Sequence, residues 1–107
     1  MKRWCNIIGI DFRDVVIEVV DRVKYAGSTE FLPDGKFKLK LNELLLKNRN
    51  VVRMVVIHEL VHMKLRSPQH DDAFFKTLFR YISEEEYWAL YRRMEKMFMD
   101  FFGRKRR

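Results

Sequence analysis

Apolar positions follow two different periods along this chain. Val15, Val16, Val19, Val20 and Val23 fall on one face at helical spacing, which predicts a helix over 11–25. Asp11 and Asp14 stand where a cap and its partner belong, and Gly27 lies just past the end. The period carries this reading, because valine is a poor helix former. Phe37, Leu39 and Leu41 then alternate with Lys38 and Lys40, the signature of a half-buried strand. Thr29-Glu30-Phe31-Leu32 leads into it through Pro33-Asp34-Gly35-Lys36, where Pro presets the first corner and Gly accepts positive φ. The two runs therefore read as an antiparallel hairpin. Lysines on one face suit an edge strand, where they discourage pairing with another chain. Asn42 ends the strand, and Glu43 to Lys47 forms a short helical turn.

From Val51 to about Arg66 the chain is apolar almost all round, which at this length predicts a buried helix. Pro68 forces its end near Arg66 or Ser67. A helix follows over 72–81. Ser83 and Glu86 make a capping box that opens a long last helix to about Phe102, with Gly103 as stop. The expected class is α+β: a short hairpin packed on an N-terminal helix, a buried central helix, and one or two C-terminal helices. The chain has 107 residues, enough for one small domain over 1–103 followed by a basic tail, 104–107.

Charge changes this picture only at that tail. Of the net +7, Arg104-Lys105-Arg106-Arg107 supplies four, and the body is nearly balanced. Such a tail is either a solvated end or an arm for phosphates, which keeps nucleic acid among the partners considered. The single cysteine, Cys5, excludes an internal disulfide and a cysteine-based zinc finger. Every apolar run is far below the roughly 18 residues that span a bilayer, so no membrane partner is expected. Asp11, Arg13 and Asp14 interrupt the apolar start too early for a signal peptide, and a cytoplasmic protein is expected.

The three histidines, His58, His62 and His70, all lie within 13 residues. His58-Glu59-Leu60-Val61-His62 is an HExxH motif. Residues four apart on a helix lie one above the other, so two imidazoles so placed can bind one zinc ion at adjacent corners of a tetrahedron. Glu59 is one step round the helix and can reach a water on that metal, where a carboxylate serves as general base. Valines and leucines around it supply a dry wall. A catalytic zinc needs a third protein ligand and an open fourth position. His70 leads, because the helix must stop at Pro68 and the chain can then fold back. Asp71 or Asp72 could hold its other ring nitrogen. Glu84, Glu85, Glu86 and Glu95 are the alternatives, although acidic residues in a first helical turn also serve the helix dipole. The metzincin pattern is excluded, since Leu65 and Pro68 occupy the positions that need Gly and His.

The ordered trio of Phe37-Lys38-Leu39-Lys40-Leu41-Asn42, Val55-Val56-Ile57-His58-Glu59-Leu60-Val61-His62 and His70-Asp71-Asp72-Ala73-Phe74-Phe75-Lys76-Thr77-Leu78 resembles the zincin core of the SprT-like and YgjP-like metallopeptidases. The resemblance covers about residues 29–80. It implies a small zincin-like domain with zinc ligands at His58, His62 and His70 and Glu59 as catalytic base. The zinc-ribbon cysteines of many SprT-like proteins are missing, so their DNA-coupled role does not carry over. Some stand-alone scaffolds of this kind are kept latent by terminal segments or by oligomerisation.

The expected reaction is zinc-dependent hydrolysis of a peptide or protein substrate. Tyr81, Tyr87 and Tyr91 are oxyanion candidates by residue type. Strand Phe37–Leu41 can pair with an extended substrate, which makes Phe37, Leu39 and Leu41 candidate substrate-binding residues. Met97 to Phe102 adds apolar surface beyond what a core this small can absorb, so it is expected to cover the molecule's own cleft or a second copy. The competing readings are a zinc-stabilised binding module with a basic tail for nucleic acid or an acidic partner, and a zinc hydrolase of a non-peptide substrate.

Overall fold

The computed structural model describes residues 1–21 and 23–104. Along these the elements are α1 (Lys2–Ile8), β1 (Val15–Val20), β2 (Gly27–Phe31), β3 (Phe37–Asn42), α2 (Arg49–Leu65), α3 (Asp72–Leu78) and α4 (Glu84–Arg104), with 3-10 turns at Phe12–Asp14 and Glu43–Lys47. The class is α+β, as expected. The sheet order is β1-β3-β2, with β1 parallel and β2 antiparallel to β3.

The valine run is a strand, not a helix. Its Val-Val-x-x-Val-Val spacing fits a helix face, but five of the six residues of β1 are β-branched, and a partner backbone lies alongside from Val15 opposite Phe37 to Val20 opposite Asn42. Asp11 does act as a cap, yet only of a single 3-10 turn, accepting from Arg13 N–H at 2.9 Å. The N-terminal helix is α1 instead. It closes at Gly9 in the left-handed region (φ 97°), and Lys64 Nζ on α2 donates to its Ile8 carbonyl at 2.7 Å.

The hairpin forms where the turn sequence placed it. Leu32 N–H donates to the Lys36 carbonyl at 2.9 Å, and Gly35 adopts φ 84°. Its second strand, however, is central rather than an edge. Lys38 and Lys40 still face outward, Lys38 beside Glu18 at 3.8 Å. Phe37, Leu39 and Leu41 are buried in the core, and the β3 backbone pairs on both sides. They therefore do not bind substrate, and strand addition at β3 is excluded because β1 and β2 already occupy both its edges. Asn42 ends β3 as expected. Its buried side chain accepts from Leu44 N–H and donates to the Val23 and Tyr25 carbonyls, fixing the approach to β2.

α2 is the spine of the molecule, touching the sheet, α1, α3 and α4. That position buries most of its surface, Glu59 and His62 included. It stops at Arg66, whose left-handed conformation (φ 49°) caps it two residues before Pro68. α3 is shorter than the pattern suggested, and α4 runs through Gly103 without stopping. The tail expected over 104–107 falls, beyond Arg104, outside the described residues.

Candidate active site

α2 places His58 and His62 one turn apart, and the chain after its left-handed cap returns His70 to them. The three Nε2 atoms form a triangle with edges of 3.0, 3.0 and 3.2 Å. Each neutral ring carries one proton, so three nitrogens at mutual hydrogen-bond distance cannot all be satisfied by one another. A cation at their centre satisfies all three. Zinc–nitrogen bonds of about 2.0–2.1 Å put tetrahedral neighbours about 3.3 Å apart, close to this triangle, so the donor set fits the metal. Among the described residues these three histidines are the one cluster of side chains able to hold a metal ion.

Three of the four carboxylate alternatives lie elsewhere. Glu86 pairs with Arg53 of α2 and its N–H donates to Ser83 Oγ. Glu84 and Glu85 share that exposed first turn of α4, while Glu95 lines a cleft beside the histidines. Asp71 caps α3 by accepting from Phe74 N–H at 3.0 Å.

Two ring nitrogens facing away from the triangle also have partners. His62 Nδ1–H donates to the Ser67 carbonyl at 2.9 Å, an acceptor turned back by the left-handed residue just before it. His58 Nδ1 lies 3.0 Å from the Tyr87 hydroxyl of α4. Tyr87 also lines the cleft beside the histidines. Of the other two oxyanion candidates, Tyr91 lines the cleft and Tyr81 does not. Phe74 lies within 4.5–4.9 Å of all three imidazole centroids and is fully buried, a common floor that sequence reading placed only within a motif.

Burial, reinforced by His62 and His70, pushes the His58 imidazole down to about 3. Burial also lowers His62, against the Ser67 carbonyl. Burial thus disfavours the protonated form of both rings, as ligation of a metal requires. Burial pushes the Glu59 carboxyl the other way, up to about 7, although the Thr29 hydroxyl opposes this by donating to Oε1 at 2.8 Å. The usual range of general bases lies there. Thr29 was missed in the sequence; its signal is a hydroxyl at the inward position of β2, opposite Leu39. Burial raises Tyr87 above the ordinary phenol range, so its hydroxyl keeps its proton.

A cavity of about 740 Å³ opens beside His58, Glu59 and His70. Met54 and Val55 of α2 form its floor, the start of β2 one wall, and Trp88, Tyr91, Met94 and Phe98 of α4 the other. Gly27 permits that wall to lie so close: a Cβ there would stand 2.8 Å from Val55 Cγ1 and 3.1 Å from the Lys40 carbonyl.

Three imidazoles, a buried carboxyl and an apolar cleft are the equipment of a metal-dependent hydrolase. The family model of the YgjP-like metallopeptidase domain matches residues 1–93. This chain belongs to the YgjP-like metallopeptidases. Two solved structures have a similar fold. The metallopeptidase zymogen jannalysin of Methanocaldococcus jannaschii superposes with a TM-score of 0.72 at 23% identity, over 89% of each chain. The metallopeptidase zymogen abylysin of Pyrococcus abyssi gives 0.75 at 19% identity, over 89% of this chain and 88% of that one. Among curated proteins none matches significantly. No helix among the described residues is long and apolar enough to cross a membrane.

Proposed function

We propose that this metallopeptidase holds one zinc ion through Nε2 of His58, His62 and His70 and uses Glu59 as the general base of peptide hydrolysis. The observation that carries this reading is the convergence of three imidazole nitrogens beside a buried carboxyl. When bound, zinc polarises a carbonyl and makes water a competent nucleophile near neutral pH. The chain's own residues do the rest. Glu59 takes a proton from the attacking water and returns it to the leaving nitrogen, with the Thr29 hydroxyl fixing one carboxyl oxygen. Burial keeps His58 and His62 unprotonated, and the α2 and α4 side chains around the cleft limit water.

An extended substrate pairs with the outer edge of β2, which has no strand neighbour among the described residues and lies next to Glu59. The cavity takes an apolar side chain next to the scissile bond. Phe98 and Met99 of α4 line that cavity, so Met97 to Phe102 is the segment that restricts entry and keeps the enzyme latent, in this molecule or in a pair of copies. We place the enzyme in the cytoplasm, in keeping with its single, buried, unpaired Cys5.

The test is metal analysis together with hydrolysis of a mixed peptide library. Wild type is expected to contain one zinc per chain and to cleave. Glu59→Gln is expected to keep the metal and lose at least about 100-fold in rate. A Glu59→Gln variant that still cleaves at the wild-type rate removes Glu59 as the base. Truncation before Met97 is expected to raise activity or change oligomeric state; no change in either removes the latency reading.

A further inference from the structure

We infer that Tyr87 is a positioning residue of the metal centre: its hydroxyl accepts from His58 Nδ1–H and so keeps the Nε2 lone pair of that ring turned into the histidine triangle. The inference rests on the zinc reading above. Its starting point is the difference between the two helical histidines. His62 is oriented by the Ser67 carbonyl, which can only accept, so its Nδ1 must carry the proton and its Nε2 is bare. His58 has a hydroxyl in the same place at 3.0 Å, and a hydroxyl can donate or accept. Only the accepting arrangement leaves His58 Nε2 free, and that nitrogen points at its two partners at 3.0 and 3.2 Å.

The fold restrains Tyr87 well enough for this role. It is 2% exposed, in the first turn of α4, with its N–H donating to the Ser83 carbonyl at 2.9 Å. The preceding residue, Glu86, pairs with Arg53 of α2, which ties this turn to the helix that carries His58. Phe79 and Trp88 meet the Tyr87 ring edge-on, and its plane lies 10° from that of His58. The hydroxyl is therefore directed by packing before any metal arrives. Metal-bound histidines generally donate their other N–H to such a partner, and losing that partner costs 10- to 100-fold in metal affinity.

Tyr87→Phe keeps the ring and removes the acceptor. Competition with a chromophoric chelator is expected to show zinc affinity about 10- to 100-fold weaker than wild type. Tyr91→Phe, the same deletion one turn on, is expected to leave the affinity unchanged. The melting temperature of the metal-free Tyr87→Phe protein should stay near that of wild type, whereas a packing role would shift it and spare the affinity. Nitrogen-15 spectra of zinc-loaded wild type give a check that needs no variant: His58 Nδ1 should bear a slowly exchanging proton close to the Tyr87 ring protons. Unchanged zinc affinity in Tyr87→Phe, or an unprotonated His58 Nδ1 in the loaded wild type, overturns the inference alone. A wild type that takes up no zinc overturns the metal-centre reading and this inference with it.

Discussion

Glu59 is an ionisable group held where water scarcely reaches, with the Thr29 hydroxyl donating to one oxygen. Its proton affinity is raised from the ordinary 4.5 to about 7. Between those pH values the folded chain holds a proton that the unfolded chain has released. Stability from this group is therefore lost as pH rises through that window, and it stays lost above it. Glu59→Gln escapes the loss. In the absence of metal it should unfold in urea at pH 8 with about 3 kcal/mol more stability than wild type, and with no advantage at pH 4. Under the proposed mechanism the same substitution should lower turnover at least about 100-fold, so activity at Glu59 would be maintained against stability. Phe74 works in the opposite sense, since packing and chemistry want the same ring there. Phe74→Ala should cost about 3–5 kcal/mol in denaturant unfolding and also weaken zinc retention, because all three imidazoles rest on it.

Among the elements, β2 is the one on which the site depends most. Its inward face carries Gly27 against α2 and Thr29 against Glu59. Gly27→Ala must push the strand off a β-branched Val55 that has one favoured rotamer in a helix. About 1–3 kcal/mol of destabilisation is expected, with a fall in hydrolysis as Thr29 is drawn away; thermal melting and peptide cleavage measure the two effects. The hairpin was legible because Pro33-Asp34-Gly35 leaves few other conformations, and α2 because seventeen residues can keep the HExxH histidines in line only as a helix. β1 was not legible. Its residues satisfy a helical and an extended pattern equally, and its partner in β3 comes more than twenty positions later, information no local window holds. For the same reason the pattern of β3 suits an edge and a central strand alike: alternation tells which face is inward, not how many neighbours a strand has. That His58, His62 and His70 come together was readable from the sequence, whereas the Thr29–Glu59 and Tyr87–His58 contacts arise only when β2 and α4 meet α2.

For the molecule as a whole, the histidine triangle joins α2 to the loop before α3, and the Tyr87–His58 contact joins it to α4. A ligand bound only by the folded form stabilises it by mass action, by about 2.7 kcal/mol at a hundred-fold excess over its dissociation constant. Chelation should therefore lower the melting temperature by at least about 10 °C for a chain of this size, and zinc should restore it. A melting curve indifferent to zinc would contradict the three-histidine reading.

The far side of the sheet carries a different consequence. Val16, Ile17 and Val19 of β1 are 48%, 42% and 52% exposed, on a strand whose outer margin has no neighbour among the described residues. Six residues with a single charge, Glu18, offer little to keep sticky chains apart, so concentrated stocks of the protein should cloud from this margin first. Val16 sits opposite Lys38, and Val16→Glu would set unlike charges side by side there. That one change should raise the concentration at which light scattering begins, while peptide cleavage at the other end of the sheet proceeds at its usual rate.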